Sequence, residues 1–125
     1  MRGACQIDVV LAEVRRRLPP RPTAEDIPAL LARGVLLVDI RPIDQRERDG
    51  ELDGAIVIDR NVLEWRLDPT SPDRIEGAAD PDREIVIVCN EGYASSLAAA
   101  SLQRLGLRRA TDLDGGFQAL LAARP

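Results

Sequence analysis

The chain has 125 residues, a formal net charge of −4 and 45% hydrophobic residues, which fits a single globular domain with one core. It contains one Trp, one Tyr and one Phe, so it lacks the aromatic platform of single-stranded nucleic-acid binders, and its acidic balance would repel a polyanion. All 17 basic residues are arginine and histidine is absent, which excludes lysine-dependent phosphate loops, Schiff-base chemistry, His-based nucleophile systems and His-ligated metals.

The first predicted element is a helix over residues 7–18. Apolar residues recur at helical spacing, Asp8 lies near the start, and the run of arginines at 15–17 lies in the last turn. Two prolines follow and end the helix. We expect it to dock on the sheet, with a charged regulatory arm as the other interpretation. The helix dipole accounts for the three arginines.

A second helix and a buried strand follow. The Thr-Ala-Glu-Asp motif at 23–26 is typical of a capping box and predicts a helix over residues 27–33. The apolar run at 35–40 predicts a buried strand. This strand delivers Asp39 and Arg41 to the carboxyl edge of the sheet. For Arg41 an ordinary surface salt bridge is the other interpretation.

Residues 55–58 are predicted to form the next strand, and an arginine-containing segment follows it. Arg60 and Arg66 lie after the strand exit and are candidates for substrate binding, with a purely structural role equally open. Trp65 is expected in the core rather than as a substrate platform. Residues 67–83 are rich in Pro, Asp and Gly and predict a long loop with at most a short central helix.

The strand predicted at 85–88 leads into the chain's clearest chemical site. Four uninterrupted β-branched residues predict burial on both faces, and Cys89 comes directly after them. A glycine-containing loop then opens an Ala/Leu-rich helix over residues 97–105, with Ser95 or Ser96 as its N-cap. Loop amides and the positive end of a helix favour an anion, so we expect Cys89 to be a thiolate at neutral pH. The other interpretation, a small buried hydrophobe, is disfavoured because ligands bind at the carboxyl ends of parallel strands.

The chain closes with a strand and a helix. Residues 110–113 predict a short strand, Gly115 and Gly116 a tight turn, and residues 117–124 a terminal helix. The alternation of helices and strands predicts an α/β fold with a parallel sheet between helices.

Four blocks of this sequence, in order and at fitting spacing, resemble the rhodanese-like domain family. They are Val38-Asp-Ile-Arg41, Gly50-Glu-Leu-Asp-Gly-Ala55, the strand with the Cys89 loop, and Leu113-Asp-Gly-Gly-Phe-Gln-Ala119. The resemblance covers roughly residues 22–124. It implies a rhodanese-like three-layer α/β/α domain with a central, mainly parallel sheet over residues 22–125. An N-terminal helical extension at 1–21 would precede it.

The resemblance also implies an activity, that of a single-domain sulfurtransferase. Cys89 would take a sulfane sulfur from a donor as a persulfide and pass it to a nucleophilic acceptor. The loop around the extra sulfur would be Asn90, Glu91, Gly92, Tyr93, Ala94 and Ser95. Asp39 and Arg41 match family positions that brace neighbouring loops rather than do chemistry. The implied partners are a small-molecule or persulfide donor and a thiol, a cyanide-like molecule or a partner protein as acceptor.

The loop departs from the family pattern in its charges. Many single-domain members carry an arginine five residues after the cysteine, where this chain has Ala94, and Glu91 adds a negative charge beside the sulfur. A like charge a few ångströms away costs on the order of 1 kcal/mol, so we expect thiosulfate to be a poor donor. The phosphatase branch of the superfamily is set aside, because its loop ends in a phosphate-gripping arginine and this chain has Ser95 there.

Two functions of different class remain open, a sulfurtransferase and a non-catalytic module that senses anions, persulfides or a partner protein. No metal or cofactor is expected, since Cys5 and Cys89 are too few for a zinc site without histidine. No apolar stretch reaches the roughly 18 residues that span a bilayer, and the first residues lack a signal-peptide core. We therefore expect no nucleic-acid or membrane partner and a cytoplasmic protein, whose free thiol stays reduced.

Overall fold

A parallel sheet with helices on both faces accounts for most of residues 5–124, which the computed structural model describes. The helices are α1 (Gln6–Arg17), α2 (Ile27–Ala32), α3 (Ile43–Asp49), α4 (Leu63–Leu67), α5 (Ala94–Gln103) and α6 (Gly116–Ala123). The strands are β1 (Leu36–Asp39), β2 (Ile56–Val57), β3 (Ile85–Val88) and β4 (Ala110–Asp112). Short 3₁₀ turns, Ala24–Asp26 and Arg60–Val62, lead into α2 and α4.

The sheet has the strand order β2-β1-β3-β4, and neighbouring strands are parallel. The central strands β1 and β3 pair over four residues, from Leu36 beside Ile85 to Asp39 beside Val88. Both strands are buried throughout, as their uninterrupted apolar runs predict. Because all strands point the same way, the residues after β1 and β3 meet at one edge. Cys89 lies at that edge.

Alternate residues of the central strands contribute to two hydrophobic cores, one on each face of the sheet. On one face, strand residues Leu36, Val38, Ile85 and Ile87 belong to the same cluster as Leu63, Leu67, Ala98 and Leu102 of α4 and α5. On the other, Leu37, Val86 and Val88 cluster with Ile27, Leu30 and Phe117 of α2 and α6. The predicted fold class, a three-layer α/β/α domain with a parallel sheet, is therefore confirmed.

Most predicted elements are present, with differences at their ends. The capping box at Thr23 and Asp26 forms, and its 3₁₀ turn leads directly into α2. Strand β2 has only two residues, both exposed at the sheet edge. Residues 68–84 contain no helix or strand, as expected of the long loop. Sequence patterning did not predict α3 and α4, because α3 buries no residue and the five-residue α4 is too short to show a periodic apolar stripe.

The start of α5 corrects the predicted N-cap. This helix begins at Ala94, three residues before the predicted start, and follows Tyr93 without a side-chain cap. Ser95 and Ser96 lie inside the first turn, and their hydroxyls donate to Asp112 of β4 at 2.7 and 2.8 Å. The N-cap prediction is wrong because a buried carboxylate on the neighbouring strand takes both hydroxyls.

Two further placements differ from expectation. Helix α1 packs mainly on α5 rather than on the sheet, with Leu11 buried. The segment after α1 does reach the sheet, where the Thr111 hydroxyl donates to the Pro19 carbonyl at 3.0 Å. Trp65 is 59% exposed on the outer side of α4, so its expected core position is wrong. The division into an extension at 1–21 and a domain at 22–125 stays a prediction.

None of the helices in the described part of the chain combines the length and the apolar character needed to cross a membrane.

Candidate active site

Cys89 presents its sulfur to main-chain amides at the carboxyl edge of the sheet. The residue follows β3 directly and is 7% exposed. Its Sγ accepts hydrogen bonds from the amides of Gly92 at 3.1 Å and Ser95 at 3.3 Å. The Ser95 hydroxyl oxygen lies 3.2 Å from the same sulfur. The two amide donors can stabilise a negative charge on Cys89 or on a sulfur atom bound to it.

Two glycines give the loop this shape. Gly92 has a φ of +88°, and a Cβ there would lie 2.8 Å from the amide nitrogen of Gly115. Gly116 has a φ of +62°, and a Cβ there would lie within 2.7 Å of three main-chain atoms, the carbonyl oxygens of Cys89 and Asn90 and the Gly92 nitrogen. The Cys89 loop therefore packs backbone against backbone on the turn before α6. A side chain at Gly116 would force the two segments apart.

The first turn of α6 holds the start of the Cys89 loop. The amide of Phe117 donates to the Cys89 carbonyl at 2.9 Å, and the amide of Gln118 donates to the Asn90 carbonyl at 3.0 Å. The Gln118 side chain also donates to Asn90 Oδ1 at 2.9 Å. The free amides at the start of a helix thus bond to the loop carbonyls. The loop amides are left to face the sulfur.

Asp39 and Arg41 form a buried ion pair beside this loop. Arg41 Nη2 lies 2.8 Å from Asp39 Oδ2, and both side chains are fully shielded from solvent. Arg41 Nη2 also donates to the Gly50 carbonyl at 2.8 Å, and its guanidinium lies 3.6 Å from the centre of the Phe117 ring. The surface-salt-bridge interpretation of Arg41 is therefore wrong. The pair joins β1, the end of α3 and α6, which fits the expected bracing role.

A cavity of about 390 Å³ opens over Cys89. Its lining residues are Ile40, Arg41, Pro42, Gln45, Arg60, Cys89, Asn90, Glu91, Tyr93 and Ala94. The structure thus brings one predicted substrate-binding arginine, Arg60, to the site. Arg66 does not line the cavity, and its Nη1 donates to the Asp73 carbonyl at 2.7 Å. Gly92 and Ser95 do not line the cavity and contact Cys89 Sγ through their amides.

Arg60 is not a free cation in this cavity. Its Nη1 lies 3.0 Å from both carboxylate oxygens of Glu64. Burial by itself raises the pKa of Glu64, but the hydrogen bond from Ser101 and the pairing with Arg60 outweigh it, so that the pKa lies below its usual value. The ionised Glu64 therefore compensates the charge of Arg60 at neutral pH.

The N-terminal segment provides contacts that sequence reasoning missed. Arg15 Nη2 and Arg21 Nη2 both donate to the carbonyl oxygen of Gly92, at 2.7 and 3.0 Å. Arg15 Nε donates to Ser96 Oγ at 3.0 Å. Arg21 also pairs with the buried Asp112, Nε to Oδ1 at 2.8 Å and Nη2 to Oδ2 at 3.1 Å. No pattern in the sequence distinguishes Arg15 from Arg16 and Arg17, so its role could not be predicted.

Burial by itself lowers the pKa of Arg21, but other groups outweigh it. The hydrogen bonds and charge of Asp112, with smaller effects of Asp114 and of a Cys89 thiolate, raise the pKa of Arg21 above its ordinary value. Arg21 is therefore a permanent cation behind the Cys89 loop, where it donates to the Gly92 carbonyl.

Comparisons with known proteins agree with this geometry. The rhodanese-like domain family matches residues 23–123. The chain is 33% identical over 103 residues to the thiosulfate sulfurtransferase GlpE of Stutzerimonas stutzeri, with 82% of each chain covered. A solved structure from Rhodopseudomonas palustris, of a protein of unknown function described as a possible tyrosine phosphatase, is 32% identical with a TM-score of 0.82, covering 98% of this chain and 94% of that one. A rhodanese homologue from Thermus thermophilus is 29% identical with a TM-score of 0.57, covering 81% and 100%.

The family match over residues 23–123 agrees with the four sequence blocks, with the parallel three-layer fold and with a cysteine that faces loop amides. The chain therefore belongs to the rhodanese-like domain family.

Proposed function

We propose that this protein is a single-domain sulfurtransferase that carries sulfane sulfur as a persulfide on Cys89. The observation that carries the proposal is the pair of amide hydrogen bonds from Gly92 and Ser95 to Cys89 Sγ, at the floor of an open cavity. The relatives named thiosulfate sulfurtransferase support the reaction class. The loop of residues 90–95 would surround the transferred sulfur.

The reaction needs one nucleophile and no acid or base side chain. The Cys89 thiolate attacks the outer sulfur of a donor such as thiosulfate, a new S–S bond forms, and sulfite leaves with the electron pair of the broken S–S bond. A thiolate or cyanide acceptor then attacks the outer sulfur of the persulfide. That step regenerates the Cys89 thiolate and releases a persulfide or thiocyanate. Preorganised amides stabilise the anionic sulfur in both steps.

The site favours sulfur transfer over phosphate transfer. A phosphatase loop needs a guanidinium that grips the phosphoryl oxygens. The loop ends in Ala94 and Ser95, and Arg15 and Arg21 donate to the Gly92 carbonyl without lining the cavity. The arginines that do line it, Arg41 and Arg60, are paired with Asp39 and Glu64. The cavity is large enough for a low-molecular-weight persulfide as well as thiosulfate. We place the protein in a reducing compartment such as the cytoplasm, where its thiol stays free.

Mass spectrometry of the intact protein tests the persulfide directly. After incubation with thiosulfate, glutathione persulfide or mercaptopyruvate, the wild type and Cys5→Ser should gain one sulfur atom and Cys89→Ser should gain none. Cys5→Ser is the matched control, because it removes the other thiol of the chain. Sulfur bound equally by Cys89→Ser would overturn the assignment of Cys89. A wild type that gains no sulfur from any of these donors would instead support the non-catalytic module.

A further inference from the structure

The carbonyl oxygen of Gly92 is held by two guanidinium groups from outside the loop. Arg15, in the last turn of α1, and Arg21, after the prolines that end α1, both donate to it. The Ser96 hydroxyl lies 3.4 Å from the same oxygen. The amide of Gly92 donates to the Cys89 sulfur. Gly92 therefore connects the two arginines, through its carbonyl, to the nucleophile, through its amide.

A second connection runs through Asp112 of β4. This carboxylate is fully buried, is paired with Arg21, and accepts the hydroxyls of Ser95 and Ser96. Because the single hydroxyl proton of Ser95 is directed to Asp112, its oxygen can accept the proton of a neutral Cys89 thiol at 3.2 Å. When Cys89 is ionised, the same hydroxyl can turn and donate to the sulfur. The network behind the loop thus accommodates both protonation states.

The charges around Cys89 come from several elements of the fold. Of the arginines near Cys89, Arg21 pairs with Asp112 and with the exposed Asp114, Arg41 pairs with Asp39, and Arg60 pairs with Glu64. Arg15 forms no ion pair with a carboxylate of residues 5–124, and it lies 5.8 Å from the centre of the Tyr93 ring. Its guanidinium therefore has no direct carboxylate contact behind the loop, where it donates to Gly92 and Ser96. The exposed Glu91 carries the opposite charge at the cavity side.

We propose that Arg15 and Arg21 are positioning residues of the Cys89 site, which supply from the N-terminal segment the cationic support that the loop sequence lacks. Arg15 adds a positive charge without a carboxylate of its own, which favours the ionised sulfur, and Arg21 fixes the loop while it neutralises the buried Asp112. A buried Asp112 without its partner would place a negative charge next to the nucleophile. The inference rests on the proposed function only for its sulfur-transfer readout, because alkylation of Cys89 requires no sulfur donor.

The pH dependence of Cys89 alkylation by iodoacetamide tests the charge directly. Arg15→Ala should move the alkylation profile to higher pH, lower kcat/KM for sulfur loading at neutral pH by about tenfold, and regain the wild-type alkylation rate at alkaline pH. Arg15→Lys should restore most of the profile. Arg17→Ala is the matched control, since Arg17 lies on the same helix, its side chain is 80% exposed and pairs with Glu13, and it does not line the Cys89 cavity. Alkylation should be measured in Cys5→Ser, so that only Cys89 reacts.

A substitution at Asp112 should shift the pH profile of Cys89 alkylation in the opposite direction. Asp112→Asn removes the negative charge next to the sulfur, so its alkylation profile should move to lower pH. A purely structural network would instead lose reactivity in both variants at every pH.

The proposal would be overturned if Arg15→Ala behaved like Arg17→Ala. It would also be overturned if Arg15→Ala lost alkylation equally at all pH values and Arg15→Lys did not restore it. Should Asp112→Asn fail to fold, the Arg15 series alone decides. Failure of sulfur loading in the wild type would count against the proposed function. The alkylation experiment would still test the roles of Arg15 and Arg21, because it needs no sulfur donor.

Discussion

Cys89 takes its chemical surroundings from main-chain groups rather than from a neighbouring acid or base. Its sulfur accepts hydrogen bonds from the amides of Gly92 and Ser95, and the chain contains no histidine that could serve as a base. Ala94 and Ser95 end the loop, so the loop itself contributes no guanidinium. Glu91 is exposed and lines the cavity, so its negative charge opposes an anion that enters the cavity. Selectivity among donors should therefore depend on Glu91.

Replacing Glu91 by Gln should improve the use of thiosulfate. Removing a like charge a few ångströms from a dianion is worth on the order of 1 kcal/mol, so KM for thiosulfate should fall about fivefold. Steady-state thiosulfate:cyanide sulfurtransferase assays of the wild type and Glu91→Gln measure this. The exposed Glu25→Gln, which does not line the cavity, is the control. A wild type that already saturates at low thiosulfate and is unaffected by Glu91→Gln would contradict the prediction.

At the scale of elements, the turn between β4 and α6 determines the shape of the Cys89 loop. Gly116 lies where any side chain would meet the main chain of Cys89, Asn90 and Gly92. The first amides of α6 bond to the carbonyls of the same loop. Loop and helix therefore form one rigid unit, and a change in the turn should be transmitted to the sulfur.

Gly116→Ala should disrupt this unit. Forcing a methyl group into a close-packed backbone contact costs about 1–3 kcal/mol, and the displaced amides should slow sulfur loading by at least about tenfold. Gly34→Ala is the matched control, because Gly34 also has a positive φ, +80°, but a Cβ there would meet nothing within 4 Å. It should lose about 1 kcal/mol of stability and keep its activity. Urea unfolding and the loading rate measure both. Equal effects of the two substitutions would refute the steric argument.

How much could be predicted from the sequence depends on whether a feature is local. Buried strands, the capping box and the Cys89 loop were predicted because their signals lie in neighbouring residues. Helix α3 was missed because it buries no residue and so has no apolar stripe. The Arg15 contact to Ser96 joins residues 81 positions apart, and that of Arg21 to Asp112 joins residues 91 apart. No local pattern indicates such pairs, so the support behind the loop became visible only in the fold.

For the whole molecule, the charge inventory determines how stability varies with pH. All basic residues are arginine and there is no histidine, so few groups titrate near neutral pH. Several carboxylates are shifted downward: the pairing with Arg33 lowers the pKa of Glu84, and the hydrogen bonds from Thr70 lower that of Asp68. A lowered carboxyl pKa contributes stability above the unfolded-state value, and the contribution is lost as the pH falls through the folded-state value.

The melting temperature should therefore be nearly constant between about pH 6 and 8 and fall below about pH 4.5. Ser101→Ala tests one contributor, because the Ser101 hydroxyl helps to lower the pKa of Glu64. The variant should be about 1 kcal/mol less stable at neutral pH, and this difference should shrink in acid, where Glu64 is protonated. Chemical unfolding followed by circular dichroism measures both profiles. A difference that grows as the pH falls would reverse the assigned sign.

The outward position of Trp65 has a practical consequence for such measurements. It is the sole indole of the chain, and more than half of its surface is already hydrated in the folded state. Its emission maximum should resemble that of free tryptophan and move little on denaturation, so fluorescence would underreport unfolding. The same exposure makes it an intrinsic probe of association, because a protein that covers α4 would shift the emission to shorter wavelength and protect it from soluble quenchers.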